Sequence, residues 1–180
     1  MDDLLDIRFS RRLVIEALKP SKGRAFASRN YFRVLLQACD RSRMTLPTAA
    51  EKMIRMPDVK DWANECRRKW KENEEYNWGM FFKAAPAVPI GLFGFDVDAQ
   101  TEGSFGCWLD EGHRGNGFSA EAVKKAVPIL RKCDFRTFDI EALPANEGSI
   151  RVAEKLGFRN NGVVWRHSEY VRSYRLNFSA

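Results

Sequence analysis

No apolar run in this chain is long enough to span a bilayer, which excludes a transmembrane helix. The first residues, Met1-Asp2-Asp3, are acidic and lack an apolar core, so they do not read as a secretory signal, and the cytoplasm is the expected compartment. Histidine is scarce: His113 and His167 are the only two. The four cysteines, Cys39, Cys66, Cys107 and Cys133, are scattered and contain no Cys-x-x-Cys pair. That combination gives no zinc pattern, and the cysteines read as reduced, packed thiols. Internal repeats, low-complexity tracts and linkers are all missing, so the expectation is a single domain over residues 1–180.

What is present is the composition of a soluble globular chain, 44% apolar and 30% charged, at a size that can bury a sizeable core. The formal charge is +6 and the sequence pI about 9.3. A polyanionic cofactor, nucleic acid and plain solvated basic faces each account for such an excess. It argues against a polycationic acceptor such as an aminoglycoside or a polyamine.

Along the chain, Arg11 to Leu18 alternates and stops before Pro20, which reads as a first strand. Phe32, Leu35, Leu36 and Cys39 fall at helical spacing. Residues 42–57 are irregular, broken by Pro47 and Pro57. Asp58 caps a longer helix marked by Val59, Trp62, Ala63, Cys66 and Trp70, whose other face carries Arg67, Arg68, Lys69 and Lys71. That face reads as solvated, with RNA contact as the alternative. The period then changes. Asn77 to Lys83 and Val88 to Asp98 read as strands joined by a turn holding Pro86 and Pro89, and Ser104 to Leu109 as another. Ser119 to Cys133 reads as a helix that Pro128 should kink or shorten. Thr137 to Leu143 is strand-like, and Val163 to Glu169 with Arg172 to Phe178 close the chain as a hairpin.

Two segments carry the chemistry. The first runs from Trp108 and Leu109 through Arg114-Gly115-Asn116-Gly117-Phe118-Ser119 into the Ser119 helix. A strand, a glycine turn and a helix in that order aim main-chain N–H groups and a positive helix end at one point, which suits a phosphate. The glycines allow close approach and positive φ, and Ser119 is the expected cap. A surface turn leading to an ordinary capped helix is the competing reading. The second segment is Asn146-x-x-Ser149, followed by the stripe Ile150, Ala153 and Leu156 and by the stop Gly157-Phe158. Taken alone, it is a short helix capped by Asn146.

Together these segments resemble the GNAT superfamily of acyl-CoA-dependent N-acyltransferases. The cofactor signature of that family is Arg or Gln, two residues, Gly, one residue, then Gly or Ala; this chain ends it with Ser119. Asn146-x-x-Ser149 and Glu154-Lys155-Leu156-Gly157-Phe158 are similar to the ribosomal-protein N-terminal acetyltransferase (RimJ/RimL-like) branch. Arg12-Leu13-Val14-Ile15 looks like that branch's first strand, Asp40-Arg41-Ser42-Arg43 like its first helix-to-loop passage, and Ile90-Gly91-Leu92-Phe93-Gly94 like its central hairpin. The likeness spans about Arg11 to Phe178. It implies an α/β (α+β) GNAT fold: a central mixed, mostly antiparallel seven-stranded sheet, splayed between its fourth and fifth strands, with about four flanking helices.

The resemblance further implies acetyl transfer from acetyl-CoA to a primary amine by direct attack, with no metal. It places the pantetheine arm between Ser104–Leu109 and Thr137–Leu143. Cys107, Trp108 and Leu109 then lie along the cofactor, with N–H groups near Trp108 and Leu109 polarising the thioester. Arg114, Gly115, Asn116, Gly117, Phe118 and Ser119 hold the pyrophosphate, and Asn146 lies beside the pantetheine. Ser149 becomes the acid for the leaving thiolate, with Tyr170 and Tyr174 as rivals. Asp96, Glu141 and Glu169 are candidate bases, Asp96 being the one the central-hairpin likeness selects. Cys107 invites an acyl-enzyme, but no histidine stands in a readable relation to it, and a strand cysteine is ordinarily packing. Residues 41–57 are expected to help form the acceptor pocket. Met44-Thr45-Leu46-Pro47 stands where the branch often has tryptophans, so its usual substrate cannot be assumed.

The acceptor expected on these grounds is the N-terminal amine of a protein or peptide. The alternatives are a small-molecule amine such as an antibiotic, aminoacyl-tRNA (which would make the protein a toxin), and a non-catalytic CoA- or RNA-binding module. Nucleic acid is a possible partner but not the favoured one, no membrane partner is expected, and the chain is read as a monomer or homodimer.

Overall fold

A computed structural model describes residues 12–17, 59–166 and 168–179. Its strands are β1 (Leu13–Ala17), β2 (Glu75–Phe82), β3 (Ala85–Ala99), β4 (Glu102–Leu109), β5 (Thr137–Ala142), β6 (Arg159–Arg166) and β7 (Glu169–Asn177). Its helices are α1 (Val59–Glu72), α2 (Phe118–Lys132) and α3 (Glu147–Lys155). The strands form one sheet in the order β1-β2-β3-β4-β5-β7-β6. Every neighbouring pair is antiparallel except β4 and β5. The mixed, mostly antiparallel seven-stranded α/β fold is therefore present. Three helices lie in the described residues; the helix expected around Phe32 to Cys39, the Asp40–Arg43 passage, the irregular stretch 42–57 and the Asp58 cap lie outside them.

The sheet is held together by aromatic packing. Trp78 of β2 meets Phe93 of β3 at 5.2 Å between centroids, Phe93 meets Phe105 of β4 at 5.4 Å, and Phe105 stacks on Phe138 of β5 at 5.6 Å. Such pairs contribute about 0.5–1.5 kcal/mol each beyond the burial of their area. Ala122, Val123, Ala126 and Leu130 turn α2 onto this face. Exposed Pro128 lies within α2 without shortening it, because the hydrogen bond it removes lies on the wet side of the helix.

Some boundaries differ from the sequence reading. The β2–β3 turn falls at Lys83 and Ala84, and Pro86 and Pro89 lie inside β3. The register shifts between Met80 and Phe82, which gives prolines a place in an inner strand. Helix α2 begins one residue before Ser119, with Gly117 in its N-cap position and no side-chain cap. The capping role expected of Ser119 is therefore not observed.

A candidate active site at the parting of two strands

The parallel pairing of β4 and β5 lasts three residues, ending at Ser104 opposite Asp139. Beyond that point β4 continues to pair with β3 as far as Leu109, and β5 with β7 as far as Ala142. The two strands therefore part, and the facing edges of Phe105–Leu109 and Ile140–Ala142 have no ladder between them. Phe105 on Phe138 closes the apex from the helix face. Asp139, with the paired Arg175, closes it from the other face at 2.6 and 2.8 Å. A cleft of about 780 Å³ opens from the fork, floored by the strand ends and walled by the first turns of α2 and α3. Gly91 of β3 sits so close to β4 that a Cβ there would lie 2.2 Å from the Trp108 carbonyl oxygen, so glycine is required to seat the open limb.

The glycine turn stands at the mouth of this cleft. Gly115 and Gly117 have φ of +76° and +78°, the left-handed region that other residues enter at a cost. Three carbonyls in and beside the turn are taken up by side chains. Arg114 Nε donates to Leu109 O at 3.0 Å, Asn116 Nδ2 to Arg114 O at 3.0 Å, and Arg12 Nη2 to Asn116 O at 3.0 Å. No described residue accepts from the N–H groups of Gly115, Asn116 or Gly117. The first turn of α2 adds the amides of Phe118, Ser119 and Ala120, which have no intrahelical acceptor. Carbonyls drawn back and amides left open make a cradle for an anion. The residues present thus fit a pyrophosphate.

Side chains reach the fork from both faces of the sheet. Cys107 lies on the α2 face, where its Sγ donates to Ser119 Oγ at 3.1 Å. Burial pushes the thiol up to about 11, so it stays protonated at neutral pH and is a poor nucleophile. Asn146 caps α3: its Oδ1 accepts from the Ser149 N–H at 3.1 Å. The cap uses the backbone of Ser149, and its half-buried side chain lines the cleft. Asp96 pairs across with Ser104 and therefore lies on the opposite face from Phe95 and Phe105; it is exposed and lines the cleft too. The other expected bases, Glu141 and Glu169, line the same cleft. Glu141 is engaged by Arg166 at 3.2 Å, and Glu169 is exposed at the hairpin. Of the rival acids, Tyr174 is buried in the core, while Tyr170 is exposed and rests against Trp165.

The sequence profile of the acetyltransferase (GNAT) domain matches residues 12–159. The chain belongs to the GNAT acetyltransferase family. A probable N-acetyltransferase, YjcK of Bacillus subtilis (strain 168), is 29% identical over 103 residues, 56% of this chain and 57% of YjcK, so the match spans little more than half of that relative. Among solved structures, the coenzyme A complex of RimL, a ribosomal L7/L12 alpha-N-protein acetyltransferase, superposes with a TM-score of 0.71 at 17% identity, covering 95% of this chain and 97% of RimL. An acetyltransferase from Agrobacterium tumefaciens str. C58 gives 0.72 at 18% identity, with 94% and 93% covered. The microcin C7 self immunity acetyltransferase MccE, solved with acetyl-CoA and AMP, gives 0.70 at 14% identity, with 93% of each chain covered. At these identities the superpositions speak for the fold, and the fold they share is the GNAT one.

Two residues of this GNAT domain escaped the sequence reading as members of the site. Lys155, in the last turn of α3, brings its Nζ to 4.0 Å from where a Cβ on Gly117 would sit, and no described residue pairs with it. Arg12 approaches the same point from β1 at 3.9 Å. Neither carries a local signal, because both arrive by tertiary packing. The basic face of α1 lies elsewhere. Arg68 is held by Glu65, Glu72 and Glu74, and Lys69 by Glu75. Two of the four basic residues of that face are thus paired with neighbouring carboxylates, which agrees with a solvated helix. Among the described residues, no helix is long and apolar enough to cross a membrane.

Proposed function

We propose that this chain transfers an acetyl group from acetyl-CoA to a primary amine by direct attack, and that the amine is the N-terminus of a protein or peptide in the cytoplasm. The observation that carries the reading is the fork: two parted strands with open edges, leading to a glycine turn whose amides are open while its Arg114 and Asn116 carbonyls are taken up by side chains. Acetyl-CoA supplies an activated acyl group on a thioester. Gly115 to Ala120 would hold its pyrophosphate, with Arg114 and Lys155 supplying charge. Cys107, Trp108 and Leu109 would run beside the pantetheine, with Asn146 across from them. Main-chain N–H groups near Trp108 and Leu109 would orient the carbonyl.

The proton movements fall to Ser149 and Asp96. As the C–N bond forms, Asp96 takes the proton shed by the amine, directly or through water. As the C–S bond breaks, the Ser149 hydroxyl gives a proton to the leaving sulfur and regains one from solvent. The two groups enter from opposite faces of the sheet, so attack and departure are served from opposite sides. Asp96 is exposed, and such a carboxylate is a weak base. An α-amine, with a pKa of about 7.7–8.0 against about 10.4 for lysine, asks least of it. The likeness to RimL, an alpha-N-protein acetyltransferase, supports the same acceptor class.

A peptide with both its α-amine and a lysine free tests the acceptor. Mass spectrometry should find acetyl on the α-amine well before the lysine. Label mainly on lysine, or only on an amine drug or charged tRNA in parallel reactions, overturns the acceptor and leaves the acetyl transfer. Failure to release thiol from acetyl-CoA with any amine overturns the enzyme reading in favour of a binding module.

A further inference from the structure

We propose that Arg12 is a positioning residue for the glycine turn, acting through a clamp with Glu121 that holds the Asn116 carbonyl away from the cofactor. The inference rests on the reading of that turn as the pyrophosphate cradle. Arg12 lies just before β1, more than a hundred residues from the turn in sequence. Its main-chain N–H donates to Glu121 Oε1 at 2.9 Å, and its Nε donates to Glu121 Oε2 at 2.9 Å. Both carboxylate oxygens of one α2 side chain thus accept a hydrogen bond from Arg12. That fixes the guanidinium in position and direction, and its Nη2 reaches Asn116 O at 3.0 Å. The plane also lies over the Phe118 ring, 4.4 Å from its centroid, at the first residue of the helix.

The consequence follows from peptide geometry. In the left-handed turn, a peptide plane that swings by half a rotation exchanges its N–H for its C=O. The plane between Asn116 and Gly117 contributes one carbonyl and one cradle amide. A cation hydrogen-bonded to that carbonyl holds the amide facing the anion, whether or not a ligand is there. Lys155 differs: it has charge near Gly117 but no described partner, so it can attract phosphate without ordering the turn. Arg12 orders the turn and, being spent on protein acceptors, has less left to attract with.

Charge and position predict opposite results in one variant, Glu121→Ala. It removes a carboxylate beside the cradle, making the site more positive, and leaves Arg12 in place. Attraction alone would tighten acetyl-CoA binding; loss of the clamp weakens it. We expect the dissociation constant from calorimetry to rise about tenfold, the scale of one hydrogen bond to a charged group. Turnover at saturating acetyl-CoA should stay within about twofold. Arg12→Met should show the same weakening of acetyl-CoA binding, and Arg12→Lys should not rescue it, because an ammonium cannot span Glu121 and Asn116 together. Amide hydrogen exchange over residues 115–118 should quicken in all three ligand-free variants. Unchanged or tighter binding in Glu121→Ala, or full rescue by Arg12→Lys, overturns the clamp. Wild-type protein that binds no acetyl-CoA would instead overturn the reading of the turn itself.

Discussion

The two sides of the cleft are built on different terms. On the cofactor side, four side-chain hydrogen bonds from Arg12, Arg114 and Asn116 reach carbonyls between the end of β4 and the start of α2, and the adjoining helix rests on the core through Phe118, Ala122 and Val123. On the acceptor side, Asp96 is exposed on the inner strand β3, and Arg166 and Glu169 are exposed at the β6–β7 hairpin. The Glu141–Arg166 pair there is a surface ion pair of the kind that contributes little. A polyanionic cofactor is the same in every turnover, so a rigid, pre-set cradle binds it without ordering anything first. On the proposed reading, an acceptor that is one of many chain ends is met by exposed surface groups. On that reading, affinity belongs to one side and selectivity to the other.

The sharpest way to test that division is to remove the group that stands between the sides. Because the cap of α3 is made by Asn146 to the backbone of Ser149, Ser149→Ala leaves it intact. Turnover should fall roughly 10²–10⁴-fold, the scale of general acid–base help, with acetyl-CoA affinity and melting temperature nearly unchanged. Steady-state kinetics and calorimetry on the same preparation check it. Full turnover with a lower melting temperature would assign the residue to structure alone.

The next effect lies wholly on the cofactor side. Gly117→Val forces a β-branched residue to a φ of +78°, in a place where Arg12 and Lys155 lie about 4 Å from the new Cβ. Backbone strain of roughly 1–3 kcal/mol corresponds to a loss in affinity of about five- to a hundredfold, provided the cradle distorts. Calorimetry with CoA measures it, and circular dichroism confirms that the fold survives. Unchanged binding would mean that the turn does not hold the pyrophosphate.

What could be read from the chain, and what could not, follows the same division. The glycine turn and the Asn146 cap are local devices, each complete within a few residues, so their place in the fold is legible in the sequence. The parting of β4 and β5 was carried by resemblance and not by pattern, since nothing in Ser104–Leu109 or Thr137–Leu143 says which strand lies beside which. Strand β7 lies between β5 and β6, an order that hydrophobic alternation does not encode. The Arg12 clamp joins residues 109 apart in sequence. Pro86 and Pro89 misled the reading because prolines ordinarily mark turns; a register shift lets them sit in β3 instead. Ser119 misled it for a related reason. Hydroxyl residues are common caps, yet here Gly117 takes the cap position and the hydroxyl receives the Cys107 thiol. The acceptor loop over residues 41–57 lies outside the described residues, so its expected part in the acceptor pocket stands on resemblance.

The smallest expected effect concerns Cys107, which lies on the open limb of the fork, where a covalent route would place its nucleophile. An acyl-enzyme requires thiolate. Burial raises this thiol from an ordinary 9.0 to about 11, and its hydrogen is directed to Ser119 Oγ, away from a base. The sign is therefore against the thiolate at any pH where the enzyme would work: the group is neutral below about pH 11 and ionises only as pH rises toward that value. Two outcomes follow. Cys107→Ala should keep turnover within a few-fold of wild type, the loss reflecting packing beside the pantetheine and not chemistry. Alkylation of Cys107 by iodoacetamide, followed by peptide mass spectrometry, should be slow at pH 7 and accelerate between about pH 9 and 11, later than a free cysteine of ordinary pKa. Abolished turnover in Cys107→Ala, or acetyl found on this cysteine when acetyl-CoA is supplied without an amine, would replace direct attack by a two-step route. It would also move the decisive chemistry from the acceptor face of the sheet to the α2 face.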